Sequence, residues 1–217
     1  MRGSVEQSRA PWITGVRYVR GMKKRRLVSL PMNLAGWQFE GEPPSVDRYV
    51  CLAWPHTSNW DGLLLIALTQ SIGLEMSWLI KNDWVKGPMG GVLRRLGAVA
   101  VDRSGSNNVV KQMISAFAEQ DRLVLVIPPE GTRGRADTWK SGFYHIALGA
   151  KVPVVPGYLD YRRKRAGLGP PIHLTGNVKE DMDAIRAFYA QIGAIGRIPE
   201  KVGPIRLRDE THEPSET

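Results

Sequence analysis

The stretch that most constrains the fold is a five-residue apolar run, Leu123–Ile127, which is bounded by Arg122 and Pro128. A run this short with no polar member is typical of a strand whose two faces are both buried. A strand of that kind needs packed layers on both sides of its sheet, and helices supply those layers in α/β proteins. The run therefore predicts an interior strand of an α/β domain.

Strand and helix patterns alternate along the rest of the chain. The predicted strands are Tyr49–Trp54, Met76–Ile80, Ala98–Val101, Leu123–Ile127 and Val152–Tyr158, and the predicted helices are Asp61–Leu74, Asn107–Gln120, Gly142–Leu148 and Lys179–Ile192. Such alternation favours βα units, in which helices connect the strands. We therefore expect a single α/β domain with a largely parallel or mixed β-sheet flanked by helices.

Three regions are expected along the 217 residues: a basic N-terminal segment over residues 1–46, the main domain over residues 47–199 and a polar tail over residues 200–217. Residues 12–30 carry Lys and Arg but no acidic residue. Two interpretations of this stretch stay open. It is either an amphipathic helix that lies on anionic lipid, or a solvated basic helix that packs its apolar side on the domain.

Composition narrows the classes of partner and cofactor. The net charge of +9 favours anionic partners, which include phospholipid headgroups, coenzymes and nucleic acid. A single cysteine, Cys51, excludes an intramolecular disulfide, and the four histidines lack paired ligand spacing, so no metal site is expected. No stretch reaches the roughly 20 apolar residues of a spanning helix, and no secretory signal is visible. We expect a cytoplasmic protein, with peripheral contact on the inner face of an anionic membrane.

The first candidate for chemistry is His56, which lies where a predicted strand ends and a helix begins. Asp61, five residues later, falls in the first helical turn and could hold the imidazole by one ring nitrogen. The other ring nitrogen would then be an oriented general base. The alternative is structural: Asp61 would cap the helix, and His56 would be an ordinary loop histidine.

Two further candidates also follow strands. Pro129–Arg133 comes directly after the apolar run, where Gly131 permits close backbone approach and Arg133 offers a fork of donors that matches phosphate. Arg103 lies just after the short strand Ala98–Val101 and leads into a Ser/Gly-rich loop, a position suited to an anion contact. The structural alternative for Pro129–Arg133 is a surface turn, and the alternative for Arg103 is a solvated strand end.

The order of these motifs resembles the glycerolipid acyltransferase family, which includes lysophosphatidate and glycerol-3-phosphate acyltransferases. The similarity is to a short form without a transmembrane span, and it covers roughly residues 47–160. The matching blocks are Pro55–Asp61 with its His-x4-Asp spacing, Lys81–Arg103, Pro129–Arg133 and the apolar, proline-containing Val152–Pro156. The combined order is specific, although each block alone is not.

The resemblance implies an O-acyltransferase of phospholipid biosynthesis. Its fatty acyl donor would be acyl-CoA or acyl carrier protein, and its acceptor would be the hydroxyl of a lysophospholipid such as lysophosphatidate. By the resemblance, His56 is the base, Asp61 orients it, and no bound cofactor is needed. The residues implied to bind the acceptor headgroup are Arg103, Glu130, Gly131, Thr132 and Arg133. Further candidates for substrate contact are Ser58, Lys81 and Lys140.

Other classes find less support in the sequence. The chain has no Gly-x-Ser-x-Gly elbow, no Walker-type loop and no dinucleotide-binding Gly-x-Gly-x-x-Gly. A nucleic-acid-binding protein is the main alternative outside the enzymes. It depends on the net charge and on the basic run Arg162–Arg165 near Tyr158 and Tyr161, whose rings could stack on bases. No recognised nucleic-acid motif accompanies the run, so no nucleic-acid partner is expected. The same acyl transfer to another amphiphilic alcohol stays open, and the oligomeric state is not predicted.

Overall fold

The computed structural model describes residues 32–81, 87, 90–95, 97–101, 106–208 and 210. The strands in these residues are β1 (Gln38–Glu40), β2 (Arg48–Ala53), β3 (Ser77–Lys81), β4 (Ala98–Val101), β5 (Leu123–Ile127), β6 (Val154–Asp160) and β7 (Arg165–Leu168). The helices are α1 (Asn59–Ser71), α2 (Gly90–Arg95), α3 (Ser106–Glu119), α4 (Gly142–Ala150) and α5 (Val178–Ile192), followed by a 3-10 turn over Pro199–Lys201. The predicted basic helix within residues 12–30 and the end of the predicted tail, residues 211–217, lie outside the described residues.

Among the described residues, seven strands form one mixed sheet in the order β1-β7-β6-β2-β5-β3-β4. Strands β6, β2, β5, β3 and β4 run parallel to one another, whereas β7 runs antiparallel to β6 and parallel to β1. Strand β2 lies at the centre, with Val50 opposite Leu125 on β5 and Val154 on β6. The structure confirms a single α/β domain with a mixed sheet flanked by helices.

Both faces of the sheet are buried, as the apolar run predicts. Successive side chains of a strand point to opposite faces, so β2 contributes to two separate clusters. Val50 and Leu52 pack with residues of α3, α4 and α5, such as Met113 of α3. Tyr49 and Cys51 pack on the other face, against a cluster that includes Leu65 of α1. The central strands therefore hold the two helical layers together.

The sheet contains two strands, β1 and β7, that the sequence patterns do not predict. Strand β7 begins at Arg165, the last residue of the basic run Arg162–Arg165. Two residues of this run have acidic partners: Arg163 pairs with the buried Asp160 at 2.5 Å, and Arg165 pairs with Glu40 of β1 at 3.3 Å. These ion pairs neutralise part of the basic charge on which the nucleic-acid alternative depends.

Two described segments outside residues 47–199 belong to the same sheet and core. Strand β1 extends the sheet beyond β7, and Trp37 before it is buried. At the other end, Leu207 is buried and forms a bridge with Trp139. The described core therefore extends beyond both predicted boundaries of the main domain.

No helix in the described part of the chain is long and apolar enough to cross a membrane.

Replacing Leu125 at the centre of β5 tests the packing of the sheet. Leu125 is 0% exposed, so Leu125→Ala leaves a cavity between the sheet and the layer of α3, α4 and α5, and it should lower the free energy of unfolding by about 2–5 kcal/mol. The matched control is Leu63→Ala on α1, because Leu63 is 60% exposed and its loss should change stability by about 0.5 kcal/mol or less. Urea unfolding measures both variants. Equal losses would contradict the assignment of β5 to the interior.

Candidate active site

The candidate site lies where the carboxyl ends of β2 and β5 meet. These parallel strands are neighbours, so the loops that follow them share one edge of the sheet, the usual place for ligand sites in such folds. The loop after β2 carries His56, and the loop after β5 carries Pro129–Arg133. A cleft of about 1620 Å³ opens between these loops and α1. Two motifs that are about 70 residues apart in sequence thus face one cavity.

The fold brings most of the predicted site residues to this cleft. Those among its lining residues are His56, Asp61, Glu130, Gly131, Thr132, Arg133 and Lys140. Ser58 caps helix α1 and is not one of the lining residues. Arg103 lies outside the described residues, and only the backbone of Lys81, at the end of β3, is described.

The conformation of the His56 loop is set by a capping box at the start of α1. The Oδ2 atom of Asp61 accepts hydrogen bonds from the backbone N–H groups of Thr57 at 2.7 Å and Ser58 at 2.8 Å. The Ser58 hydroxyl in turn accepts from the backbone N–H of Trp60 at 3.2 Å. Reciprocal bonds of this kind satisfy the free donors at a helix N-terminus. The spacing Ser58-x-x-Asp61 is the sequence signal for this box.

The same carboxylate holds the histidine ring. Nδ1 of His56 lies 3.5 Å from Oδ2 of Asp61, and the two side chains are 20% and 3% exposed. With Nδ1 facing the carboxylate, Nε2 is the ring nitrogen available to a substrate proton. The side chain that caps helix α1 therefore also lies against the ring of His56.

The surroundings of Asp61 keep it ionised. Burial is the largest influence and raises the pKa of this carboxyl, but hydrogen bonds from His56, Tyr161, Ser58 and Thr57 outweigh it, so the net pKa is lowered. The carboxylate therefore presents a negative charge to Nδ1 of His56, the arrangement that a histidine base and its orienter require.

Glu130 connects the second motif to the first. Its side chain is 2% exposed, and Oε2 accepts a hydrogen bond from the backbone N–H of His56 at 3.3 Å. Burial raises the pKa of Glu130 above its ordinary value, and the backbone N–H groups of His56 and Gly203 only partly offset that effect. The glutamate thus supports the backbone beneath the histidine as well as lining the cleft.

Two cations lie beside this turn. Gly131 has a φ of +64°, and a Cβ there would lie 2.7 Å from Cδ and Cε of Lys140. The missing side chain lets the Lys140 stem cross the turn closely. Arg133 donates a hydrogen bond from Nη1 to Oδ1 of Asn59, the first residue of α1. Lys140 and Arg133 therefore place positive charge at the cleft, within reach of an anionic group.

The cleft also has a large apolar wall. It is supplied mainly by α1, β3 and α3, and it includes Leu63, Ile66, Met76, Leu79 and Val110. A cavity that is mostly apolar with a few convergent polar groups is the usual form of a small-molecule site. No group of three or more His, Cys, Asp or Glu side chains that could hold a metal ion occurs among the described residues.

Two contacts in this region have no counterpart in the sequence analysis. Asn59 was not singled out, yet it binds Arg133 across the mouth of the site. Tyr161, considered above only for base stacking, donates from its hydroxyl to Oδ1 of Asp61 at 2.6 Å. Asn59 lies inside the motif Pro55–Asp61, and this position alone is only a weak indication that it contacts another site residue. Tyr161 is 100 residues from its partner, and no local pattern indicates that pairing.

Comparison with known proteins agrees with the motif order. The sequence profile of the family described as Acyltransferase matches residues 38–160, more than half of the chain. The chain belongs to this acyltransferase family. The matched range contains both halves of the site, His56–Asp61 and Pro129–Arg133. The resemblance drawn from the motifs is therefore confirmed at the level of the family.

A solved structure supports the acyltransferase fold. It is the 1-acyl-sn-glycerophosphate (LPA) acyltransferase PlsC from Thermotoga maritima, with a TM-score of 0.55 and 16% sequence identity. The alignment covers 79% of this chain and 78% of that chain. At this identity the likeness establishes a shared fold. A search of the curated proteins gives no match.

Asp61→Asn tests the electrostatic role of Asp61 in the loop. Because its folded pKa is lowered, the carboxylate stabilises the fold above the unfolded pKa of about 3.9, and this contribution is lost as the pH falls through the folded pKa. Asp61→Asn should therefore lower the free energy of unfolding by about 1–3 kcal/mol at pH 7, and by less at pH 3. Urea unfolding at a series of pH values measures the difference.

The matched control is Asp47→Asn, because Asp47 is exposed and pairs with the exposed Arg122. Its replacement should cost about 1 kcal/mol or less at every pH. A pH-independent loss in Asp61→Asn would contradict the proposed ionisation of Asp61 in the folded protein.

Proposed function

We propose that the protein transfers a fatty acyl chain from a thioester, acyl-CoA or acyl carrier protein, to the hydroxyl of a lysophospholipid with a lysophosphatidate-like headgroup. The observation that carries this proposal is the His56–Asp61 pair beside the cationic turn Pro129–Arg133, both on one cleft. The membership of the acyltransferase family supports the reaction class. The structural neighbour is described as acting on 1-acyl-sn-glycerophosphate, which supports the choice of acceptor.

The reaction requires one base and no covalent enzyme intermediate. Nε2 of His56 accepts the proton of the acceptor hydroxyl while the hydroxyl oxygen attacks the thioester carbonyl. The tetrahedral intermediate collapses, the C–S bond breaks, and the departing thiolate takes the proton from the imidazolium. The products are the ester and the free thiol. A thioester is already activated, so positioning and a base are sufficient for the acceleration.

The cationic side of the cleft suits a phosphorylated acceptor. The guanidinium of Arg133 is a planar fork of donors that matches phosphate oxygens, and Lys140 adds a second positive charge across the turn from it. By the family resemblance, Arg103 would also bind the acceptor headgroup. These charges attract the headgroup without acting on the bond that breaks, so they govern binding of the acceptor more than turnover.

The apolar wall suits the fatty chain. Leu63, Ile66 and Met76 line the part of the cleft next to α1 and β3, where an acyl chain would exclude water from its surface. The net charge of +9 fits both anionic donors and an anionic membrane. We propose that the protein works in the cytoplasm at the inner membrane face, with no bound cofactor. Another amphiphilic alcohol is the alternative acceptor.

His56→Ala tests the proposed base. Loss of a general base typically lowers the rate by about 10²–10⁴, and we expect a fall of this size in acyl transfer. Release of free thiol from an acyl thioester in the presence of a lysophospholipid measures the rate. The control is His173→Ala, because His173 is exposed and lies away from the cleft. Unchanged turnover in His56→Ala would refute the assignment of the base.

Arg133→Ala tests the proposed headgroup site. We expect the KM for a phosphorylated acceptor to rise by about tenfold or more, since hydrogen bonds to a charged group contribute roughly 1.5–3 kcal/mol, while kcat stays near that of the unaltered protein. The matched control is Arg135→Ala, whose guanidinium binds the carbonyl of Val202 outside the cleft lining. Steady-state kinetics with lysophosphatidate and an uncharged lyso-lipid separate the two effects. An equal rise for both acceptors would exclude a headgroup role.

A further inference from the structure

The hydroxyl of Tyr161 makes a short contact with the proposed catalytic pair. It donates to Oδ1 of Asp61 at 2.6 Å, whereas the two backbone donors and Nδ1 of His56 all lie at Oδ2. The two carboxylate oxygens therefore have different partners. A bond at Oδ1 opposes rotation of the carboxylate, and this keeps Oδ2 directed at the imidazole. Tyr161 is not among the residues that line the cleft.

The tyrosine is itself held on two sides. It follows the last residue of β6, the strand beside β2, so the topology brings it to the edge where His56 lies. Its backbone N–H donates to the carbonyl of Ile195 at 2.9 Å, and its ring meets Trp37 edge-on with centroids 5.1 Å apart. The position of the hydroxyl is thus fixed by strand β6 and by Trp37 and Ile195, and neither of those two residues lines the cleft.

The charges around this hydroxyl keep it a donor. Burial raises the pKa of Tyr161, and the hydrogen bond to Asp61 raises it further, while the nearby Arg197 lowers it. The net pKa lies well above the usual tyrosine value, so the phenol stays protonated at any pH suitable for an assay. The other titratable groups around Asp61 and this hydroxyl in the described residues are His56, Glu130 beneath it and Arg197.

We propose that Tyr161 is a positioning residue of the active site, whose hydroxyl holds the Asp61 carboxylate so that it orients His56. The inference rests on the proposed function, in which His56 is the base. Because Tyr161 does not line the cleft, its hydroxyl would act on the reaction through Asp61. Its removal should change the rate of the chemical step and leave substrate binding intact.

Tyr161→Phe tests this role, because it keeps the ring and its contact with Trp37 but removes the hydroxyl. We expect kcat to fall by about tenfold, while the KM values for donor and acceptor stay within about twofold. The matched control is Tyr144→Phe, which removes a similar 2.7 Å bond from a tyrosine to the buried Asp181, away from the cleft. Its kcat should equal that of the unaltered protein. A normal kcat in Tyr161→Phe, or a rise in KM in place of the fall, would overturn the inference.

A double-mutant cycle with His56→Ala separates positioning from general loss of structure. If Tyr161 acts through the pair, adding Tyr161→Phe to His56→Ala should lower the residual rate by less than twofold. An unchanged tenfold penalty in that background would contradict the proposal, and so would a matching loss in Tyr144→Phe. If His56→Ala alone retains full turnover, the proposed function fails. If it is inactive while Tyr161→Phe is fully active, only the role of Tyr161 fails.

Discussion

The site depends on one buried carboxylate. Asp61 accepts two backbone hydrogen bonds that shape the loop, a third from the Tyr161 hydroxyl, and faces Nδ1 of His56 at 3.5 Å. The bonds that begin helix α1 therefore also direct the histidine. Burial alone would favour the neutral acid, and the charge survives because donors surround both oxygens. The bonds that shape the loop are consequently the same bonds that would orient the proposed base.

The parallel centre of the sheet explains why distant segments converge on this carboxylate. Strand β2 delivers His56, β5 on one side delivers Glu130 under its backbone, and β6 on the other side leads to Tyr161. Both helical layers anchor these strands, since the side chains of β2 alternate between two apolar clusters. A rigid sheet thus supports short loops, which allows precise placement of a few polar groups beside an apolar cavity.

Much of this arrangement is predictable from the sequence, and the rest depends on tertiary contacts. The run Leu123–Ile127 and the alternation around it indicate the α/β sheet, and the spacing of His56 and Asp61 indicates the pair. Strand β7 cannot be predicted from the sequence, because a run of basic residues indicates an exposed loop. The partner of Arg163, the buried Asp160, is known only from the structure. The hydrogen bond from Tyr161 to Asp61 also cannot be predicted from the sequence. It requires β6 to lie next to β2, and no local periodicity specifies that pairing.

The activity we propose joins a fatty acyl group to the hydroxyl of a phosphorylated lyso-lipid. Mass spectrometry of the products formed from an acyl thioester and a panel of lyso-lipids tests this activity. We expect a new ester of the phosphorylated acceptor, with one free thiol released for each ester formed. Release of thiol without any new ester, or no product from any acceptor in the panel, would contradict it.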